Sequence, residues 1–293
     1  MKNRYLSLTG LILIFAVLTL SAGCGVRING KEYEFYRSAR SEKNNNIFNA
    51  IGGENSGKQE LSQDNPQGGQ LKVSTGAGNI RIEKTNSAKV DIKADKKVRG
   101  ASDESKKTIL DNMVVSIEKD GDILEVAVKT KSGEDFWDWQ KSNYKAYQIT
   151  MNLSLEVPES IKTINANTGA GNINIKDMTA ELELSTGAGN IEIDDTSAVG
   201  DCKLSTGAGN IDFDGRIDDI SSFDISTGVG NVTFEVPEET GMHLDAETGV
   251  GNMSGSFIKT DSKIKTHFTG DVNGGGPDVK LNTGVGNVKA GGN

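Results

Sequence analysis

The heptapeptide Ser74-Thr75-Gly76-Ala77-Gly78-Asn79-Ile80 constrains this chain more than any other feature, because it returns six times. The further copies start at Asn167, Ser185, Ser205, Ser226, Glu247 and Asn282. Each reads Ser, Asn or Glu, then Thr-Gly-Ala/Val-Gly-Asn, then Ile, Val or Met. From the second copy onward the starts lie 18, 20, 21, 21 and 35 residues apart. Self-similarity at a short fixed period is the signature of stacked repeat architectures.

The flanks of each copy alternate apolar with polar residues, and a period of two means strand. Leu182-Glu183-Leu184 before the motif and Ile191-Glu192-Ile193 after it show this, as do Phe223-Asp224-Ile225 and Val232-Thr233-Phe234. One such unit cannot bury its apolar face alone. The expected fold is therefore all-β: a parallel β-solenoid, β-helix-like, built from about 20-residue repeats. Leu182 and Leu184 should stack over Leu204, then Ile225, then Leu244. Ile191 and Ile193 should stack on Ile211 and Phe213, then on Val232 and Phe234. At about 4.8 Å per coil, seven coils make a rod roughly 30 Å long.

The motif reads as the corner of each coil. Its glycines permit backbone geometry closed to other residues, and Ala188 or Val229 is small enough to point inward at the bend. Asn79, Asn172, Asn190, Asn210, Asn231, Asn252 and Asn287 occupy one position in every coil. Stacked amides at that position would form a ladder.

Between the first and second copies the repeat is interrupted by an excursion, residues 96–160. Ser102 is placed to cap a short helix, Ser105 to Asn112. Met113–Ile117 and Ile123–Val128 read as strands joined at Asp120-Gly121-Asp122, and Ile149–Val157 as a further strand. Phe136, Trp137, Trp139, Tyr144 and Tyr147 fall within twelve residues and include both tryptophans of the chain. Two readings stand. The cluster caps the open end of the rod, which solenoids require, or Trp137, Trp139 and Tyr144 contact a partner.

The N-terminus has a different character. Lys2 and Arg4 precede an apolar run, Leu11 to Leu20, followed by Ser21-Ala22-Gly23 and Cys24. That pattern is a secretory signal peptide over residues 1–23. Leu20-Ser21-Ala22-Gly23-Cys24 resembles the lipobox of bacterial lipoproteins, which implies lipid attachment at Cys24 and membrane lipid as a partner. Loss of Lys2 and Arg4 would take the formal charge from −9 to −11. Residues 24–69 are rich in Asn, Gly, Ser and charged residues and read as a flexible tether. A small hairpin pairing Val26-Arg27-Ile28 with Tyr33-Glu34-Phe35-Tyr36 is the one local structure proposed there. Residues 70–293 are left as the solenoid domain.

The TG[A/V]GN repeats, the helix-and-hairpin excursion and the acidic, exported character resemble the bacterial putative-adhesin domain family. That resemblance implies a β-repeat, solenoid-like protein of the cell envelope and brings no catalytic residues with it.

The chemistry classes can be weighed against the residues. The motif lacks the Gly-Lys-Ser/Thr end of a phosphate loop and the helix that should follow it. Glu192, Asp194, Asp195, Asp212, Asp214, Asp218 and Asp219 read as a solvated strand face; a weak calcium site of hard oxygen ligands is the sharper alternative. The only other cysteine, Cys202, alternates with polar residues and reads as a small buried hydrophobe. The two histidines, His243 and His267, are 24 residues apart with no partner visible for a nucleophile–base pair. The expectation is no enzyme, no catalytic residues, no metal and no cofactor. An acidic chain without a basic stripe also argues against nucleic acid. The residues leave two functions open: a membrane-anchored surface module binding an unknown protein or glycan, or a structural or regulatory component of the envelope. A polysaccharide-active enzyme stands third. The expected location is exported, lipid-anchored and facing outward.

Overall fold

The computed structural model describes residues 25–28, 31–34, 55–64, 69–258 and 266–293. Cys24 and the leader before it lie outside the described residues. In the N-terminal part β1 (Gly25–Ile28) pairs antiparallel with β2 (Lys31–Glu34), with Val26 opposite Tyr33. β3 (Asn55–Asp64) is followed by β4 (Gln70–Ala77), β5 (Ile80–Thr85) and β6 (Lys89–Arg99). The excursion supplies α1 (Asp103–Asn112), β7 (Val114–Asp120), β8 (Ile123–Lys129), α2 (Phe136–Asn143) and β9 (Gln148–Pro158). The repeats then form β10 (Thr163–Ala170), β11 (Ile173–Lys176), β12 (Thr179–Ala188), β13 (Ile191–Ala208), β14 (Ile211–Val229) and β15 (Val232–Val236). The C-terminal part adds β16 (Met242–Val250), β17 (Met253–Ser254), β18 (His267–Val272), β19 (Asp278–Val285) and β20 (Val288–Gly292).

Strands before the motif pair parallel and in register along one side of the molecule. Val73, Ala166, Leu184, Leu204, Ile225, Leu281 and Ala246 form one continuous row. Strands after the motif form the second side, with Ile82, Ile175, Ile193, Phe213, Phe234 and Ala290 in a row. Every residue of both rows is buried. Phe213 stacks on Phe234 at 5.4 Å and meets Phe223 edge-on at 4.9 Å, which fills the middle of the core. Identical spacing puts like residues at like depth, so the apolar flanks of each copy become one core.

The sheet as a whole is mixed and nearly closed on itself, which amends the expectation of a purely parallel solenoid. Eighteen strands belong to it. The antiparallel pairs are β3–β6, β6–β9, β7–β8 and β16–β18, all outside the regular repeat stack. In the excursion, Ser102 caps α1 by accepting from the Ser105 N–H, and Asp135 caps α2 from Trp137 and Asp138. Side-chain caps of this kind satisfy N–H groups that a helix start leaves without partners.

Three expectations need correction. Residues 55–64, assigned to the tether, form a strand that pairs with β6 over ten positions; Leu61 packs on the core and Gln59 both donates to and accepts from the Val115 backbone, so pairing and these two contacts hold a strand that shows no apolar alternation. Second, the stacking order departs from chain order. After Ile225 comes Leu281, not Leu244: the C-terminal coil of β19 and β20 lies between the coil of β14–β15 and that of β16–β17. The 35-residue gap before the last motif copy leaves chain enough to pass the outer coil and come back. Third, the Ala or Val of the motif does not point inward. Val250 and Val285 are 67% and 46% exposed, whereas the preceding threonines are buried. The strand turns at the glycine pair, and the alternation breaks there.

Candidate functional site

The seven corners lie on one edge of the molecule, and two hydrogen-bond rails run along them. In the first, the Oδ1 of each corner asparagine accepts the backbone N–H of the next. Asn79, Asn172, Asn190, Asn210, Asn231, Asn287 and Asn252 follow in that spatial order, with each N···O distance 2.9 or 3.0 Å. The ladder thus runs from side chain to backbone rather than from amide to amide, with one amide–amide bond, Asn287 to Asn231 at 3.1 Å. An eighth asparagine starts it. Asn152, on β9 and outside any motif copy, accepts from the Asn79 N–H at 2.9 Å. Nothing in the repeat pattern points to Asn152; only the pairing of β9 with β5 brings it there.

The second rail is threonine. Each hydroxyl from Thr168 onward donates to the carbonyl of a motif glycine in the preceding layer, at 2.8–3.0 Å. Thr75, in the first coil, turns instead to its own Ala77 carbonyl at 3.5 Å. The sequence signal for this rail was the invariance of Thr among the copies, since a β-branched strand end accepts Val equally well.

The glycines are fixed by close approach. At Gly230, φ is +150° and a Cβ would lie 1.9 Å from the Gly209 carbonyl oxygen. Gly76 differs, because the group that faces it is the indole of Trp137, 2.5 Å from where a Cβ would stand. In later coils that position faces the glycine carbonyl of the layer before, as at Gly207 against Gly187. The Trp137 ring therefore occupies the place of a preceding coil. Trp137, Trp139, Tyr144 and Tyr147 are half-buried and packed on the core, with Phe136 fully buried among them. Phe136 meets Trp137 edge-on at 5.3 Å, and Trp139 lies 5.2 Å from Tyr144. This geometry suits a cap for the first coil.

Several carboxylates of the acidic coils have local partners. Lys176 pairs with Asp194 at 2.9 Å, Arg216 with Asp218 at 3.1 Å, and Asn293 donates to Asp214 at 2.6 Å. Among the described residues no cluster of three or more carboxylate, histidine or cysteine side chains is arranged to hold a metal. A cleft of about 670 Å³ beside them is lined by Asp177, Asp195 and Asp214 together with Lys84 and Arg216.

The two histidines both lie on the β16–β18 pair. His243 Nδ1 is 2.8 Å from Asp271 Oδ1, and His267 Nδ1 is 3.7 Å from Asp245. The hydrogen bond to Asp271 raises the His243 pKa, and the nearby charges of Asp278 and Asp245 add to it. Cys202 is a free, buried thiol whose pKa is pushed up to about 11, chiefly by desolvation. At neutral pH it is protonated, so it lacks the thiolate that nucleophilic chemistry requires.

Outward from the rails runs an apolar ridge. Ala77, Ala170, Ala188, Ala208, Val229, Val285 and Val250 stand side by side in register. Its last three rungs are valines, and Val250 and Val285 are the large hydrophobic residues exposed among the described residues.

The Toastrack DUF4097 family model matches residues 70–290. No curated protein matches the chain. Among solved structures, it is similar to a putative cell adhesion protein from Clostridium sporogenes, with 15% identity and a TM-score of 0.46, covering 82% of this chain and all of that one. It is also similar to a putative adhesin from Bacteroides fragilis, with 14% identity and a TM-score of 0.31, over 81% of this chain and 97% of that one. A putative lipid binding protein from Parabacteroides distasonis matches with 13% identity and a TM-score of 0.28, over 80% and 96%.

Proposed function

The chain belongs to the Toastrack DUF4097 family, and on that premise we propose that it is a non-enzymatic interaction module, held at the outer face of a bacterial membrane by lipid on Cys24. The observation that carries the reading is the apolar ridge. Exposed valines set in register on a rigid edge are what a docking surface needs, because contiguous exposed apolar area on a folded protein marks contact sites. The solenoid-like stack supports it: two hydrogen-bond rails fix the spacing of the rungs, so a partner meets a surface already ordered and loses little entropy on the protein side.

The test is direct binding. Purified protein carrying Val250→Lys and Val285→Lys should bind whole bacterial cells or their glycans at least tenfold less than wild type, with its melting temperature unchanged. Undiminished binding would remove the ridge from the proposal. A phenotype under cell-wall stress without any measurable ligand would favour a structural or regulatory envelope role instead. The anchor is tested separately: Cys24→Ala should release the protein from the membrane fraction and abolish incorporation of labelled fatty acid. No helix among the described residues is long and apolar enough to cross a membrane.

A further inference from the structure

A second cleft, of about 300 Å³, opens at the head of the asparagine ladder, on the side of the first coil where the excursion joins. Lys97 and Arg99 line it from β6, two residues apart and so on one face of the strand. Across the antiparallel pair, Thr150 stands opposite Lys97 and Gln148 opposite Arg99. Asn152 and the Gly78–Asn79 backbone close its floor.

Three features set this cleft apart. The chain carries 41 acidic against 32 basic residues, yet among the described residues no carboxylate lines the cleft. The larger cleft beside the acidic coils mixes both signs, three carboxylates with two cations. Second, the lining is rich in donors. Asn79 donates its backbone N–H to Asn152 Oδ1, so the ladder holds the oxygen and leaves the Asn152 amide NH₂ as the group with donors to give. Gln148 and Thr150 add an amide and a hydroxyl. Third, the two cations are multidentate donors. Lys97 and Arg99 are also engaged within the protein, but an ammonium carries three N–H donors and a guanidinium five in a planar fork. That fork matches two oxygens of a carboxylate or phosphate.

We propose that this cleft binds an oxyanion-bearing ligand, a phosphate or carboxylate group attached to a moiety about the size of one sugar, with Arg99 and Lys97 on the anion and Gln148, Thr150 and the Asn152 amide on neighbouring oxygens. The cleft volume sits at the lower end of small-ligand pockets, which sets the size. The cleft touches the ridge only at Ala170, at the opposite end from Val285 and Val250, so substitutions at those valines and at Lys97 and Arg99 can fail independently.

Titration calorimetry on the full chain tests it, with glucose 6-phosphate, glucuronate, inorganic phosphate and uncharged glucose as probes. Vesicles of phosphatidylglycerol, compared with phosphatidylcholine, test a lipid headgroup as the source of the same anion. The anionic probes, or the anionic vesicles, should bind at least tenfold tighter than their neutral counterparts, and more weakly as salt is raised. Lys97→Gln with Arg99→Gln should abolish that preference while the protein keeps a cooperative melting transition, since Arg99 is exposed and Lys97 half-buried at the edge of the core. Arg99→Lys, which keeps the charge and loses the fork, should weaken binding two- to fivefold. Equal binding of charged and neutral probes in both arms, or anion binding that survives the double substitution, overturns the proposal.

Discussion

The two ends of the repeat column are closed by different means. At the first end a dedicated insertion does the work: β8 and β9 continue the two sides of the column, Asn152 begins the ladder, and Trp137 lies over Gly76 where a glycine carbonyl would otherwise stand. At the far end the added element among the described residues is smaller, the single strand β18. The final coil in the chain is tucked one layer inside, the preceding coil is left outermost, and β18 folds back antiparallel on β16 to pair its outer edge. An open strand edge is a template for unwanted pairing, so both solutions answer one physical need. The first uses a long insertion, while the second reorders the repeats and adds one strand. One consequence is that β20 has a strand on both sides at Val288 and Lys289.

The largest effect should follow from removing residues 278–293. This takes away Val279, Leu281, Val288 and Ala290 and uncovers Phe223 and Ile225 on one side and Leu244 and Ala246 on the other. At about 1.5–3 kcal/mol for each fully buried aliphatic side chain, the loss is of the same order as the roughly 5–15 kcal/mol by which whole domains are stable. Cooperative thermal unfolding should disappear. A truncated protein that kept a sharp transition near the wild-type temperature would mean that the inserted coil is an accessory.

Next in size is Gly230→Ala, inside the column. The new methyl would meet a backbone carbonyl that cannot move without disturbing a neighbouring layer, at a φ that L-residues rarely adopt. A cost of about 3–5 kcal/mol in chemical denaturation is expected. Gly76→Ala, at the capped end, meets only the Trp137 side chain and should cost about 1–3 kcal/mol. Most of that penalty should vanish in a Trp137→Ala background, and a double-mutant cycle with no coupling would show that the indole does not take the place of a coil.

The ladder distinguishes middle from end more gently. Asn210→Leu leaves the Asn231 N–H without its acceptor and should cost about 1–3 kcal/mol. Asn252→Leu, on the outermost rung, should cost less than half as much. Equal losses at both sites would locate the asparagine's contribution in its own corner and not in the ladder.

The smallest effect concerns the closing pair. The His243 pKa is raised above its ordinary value near 6.5 by Asp271. The stabilisation is therefore fully present below pH 6.5 and is lost as the pH climbs through the raised folded-state value. The melting temperature should fall slightly over that window, and His243→Gln should flatten the slope. A fall that survives the substitution would put the titrating group elsewhere.

Much of this was legible before any coordinates. The alternating flanks of the motif specify strands and the rows that become the core, and Ser102 and Asp120-Gly121-Asp122 mark local structure in the excursion, because capping and turn geometry depend on a few adjacent residues. Local pattern could not say which way Ala188 or Val229 points. That depends on where the strand turns at the glycine pair, and burial of Thr186 and Thr227 in the second rail decides it. Nor could it place Asn152 in the ladder, or set Lys97 and Arg99 of one strand opposite Thr150 and Gln148 of another, since the first meeting spans 73 residues of chain and the others about fifty.

What the sequence determined by itself is the unit: two short strands, a corner fixed by Thr, Gly and Asn, and an apolar face that needs a neighbour above and below. The tertiary structure alone decided the order of the units and the closing of the two ends. The physical reason is that the copies are nearly equivalent as stacking partners. Leu281 takes the place over Ile225 that Ala246 would take if the coils followed chain order, and the shared motif register allows either, so the choice falls to the length of the connecting chain and to which exposed edges remain to be paired.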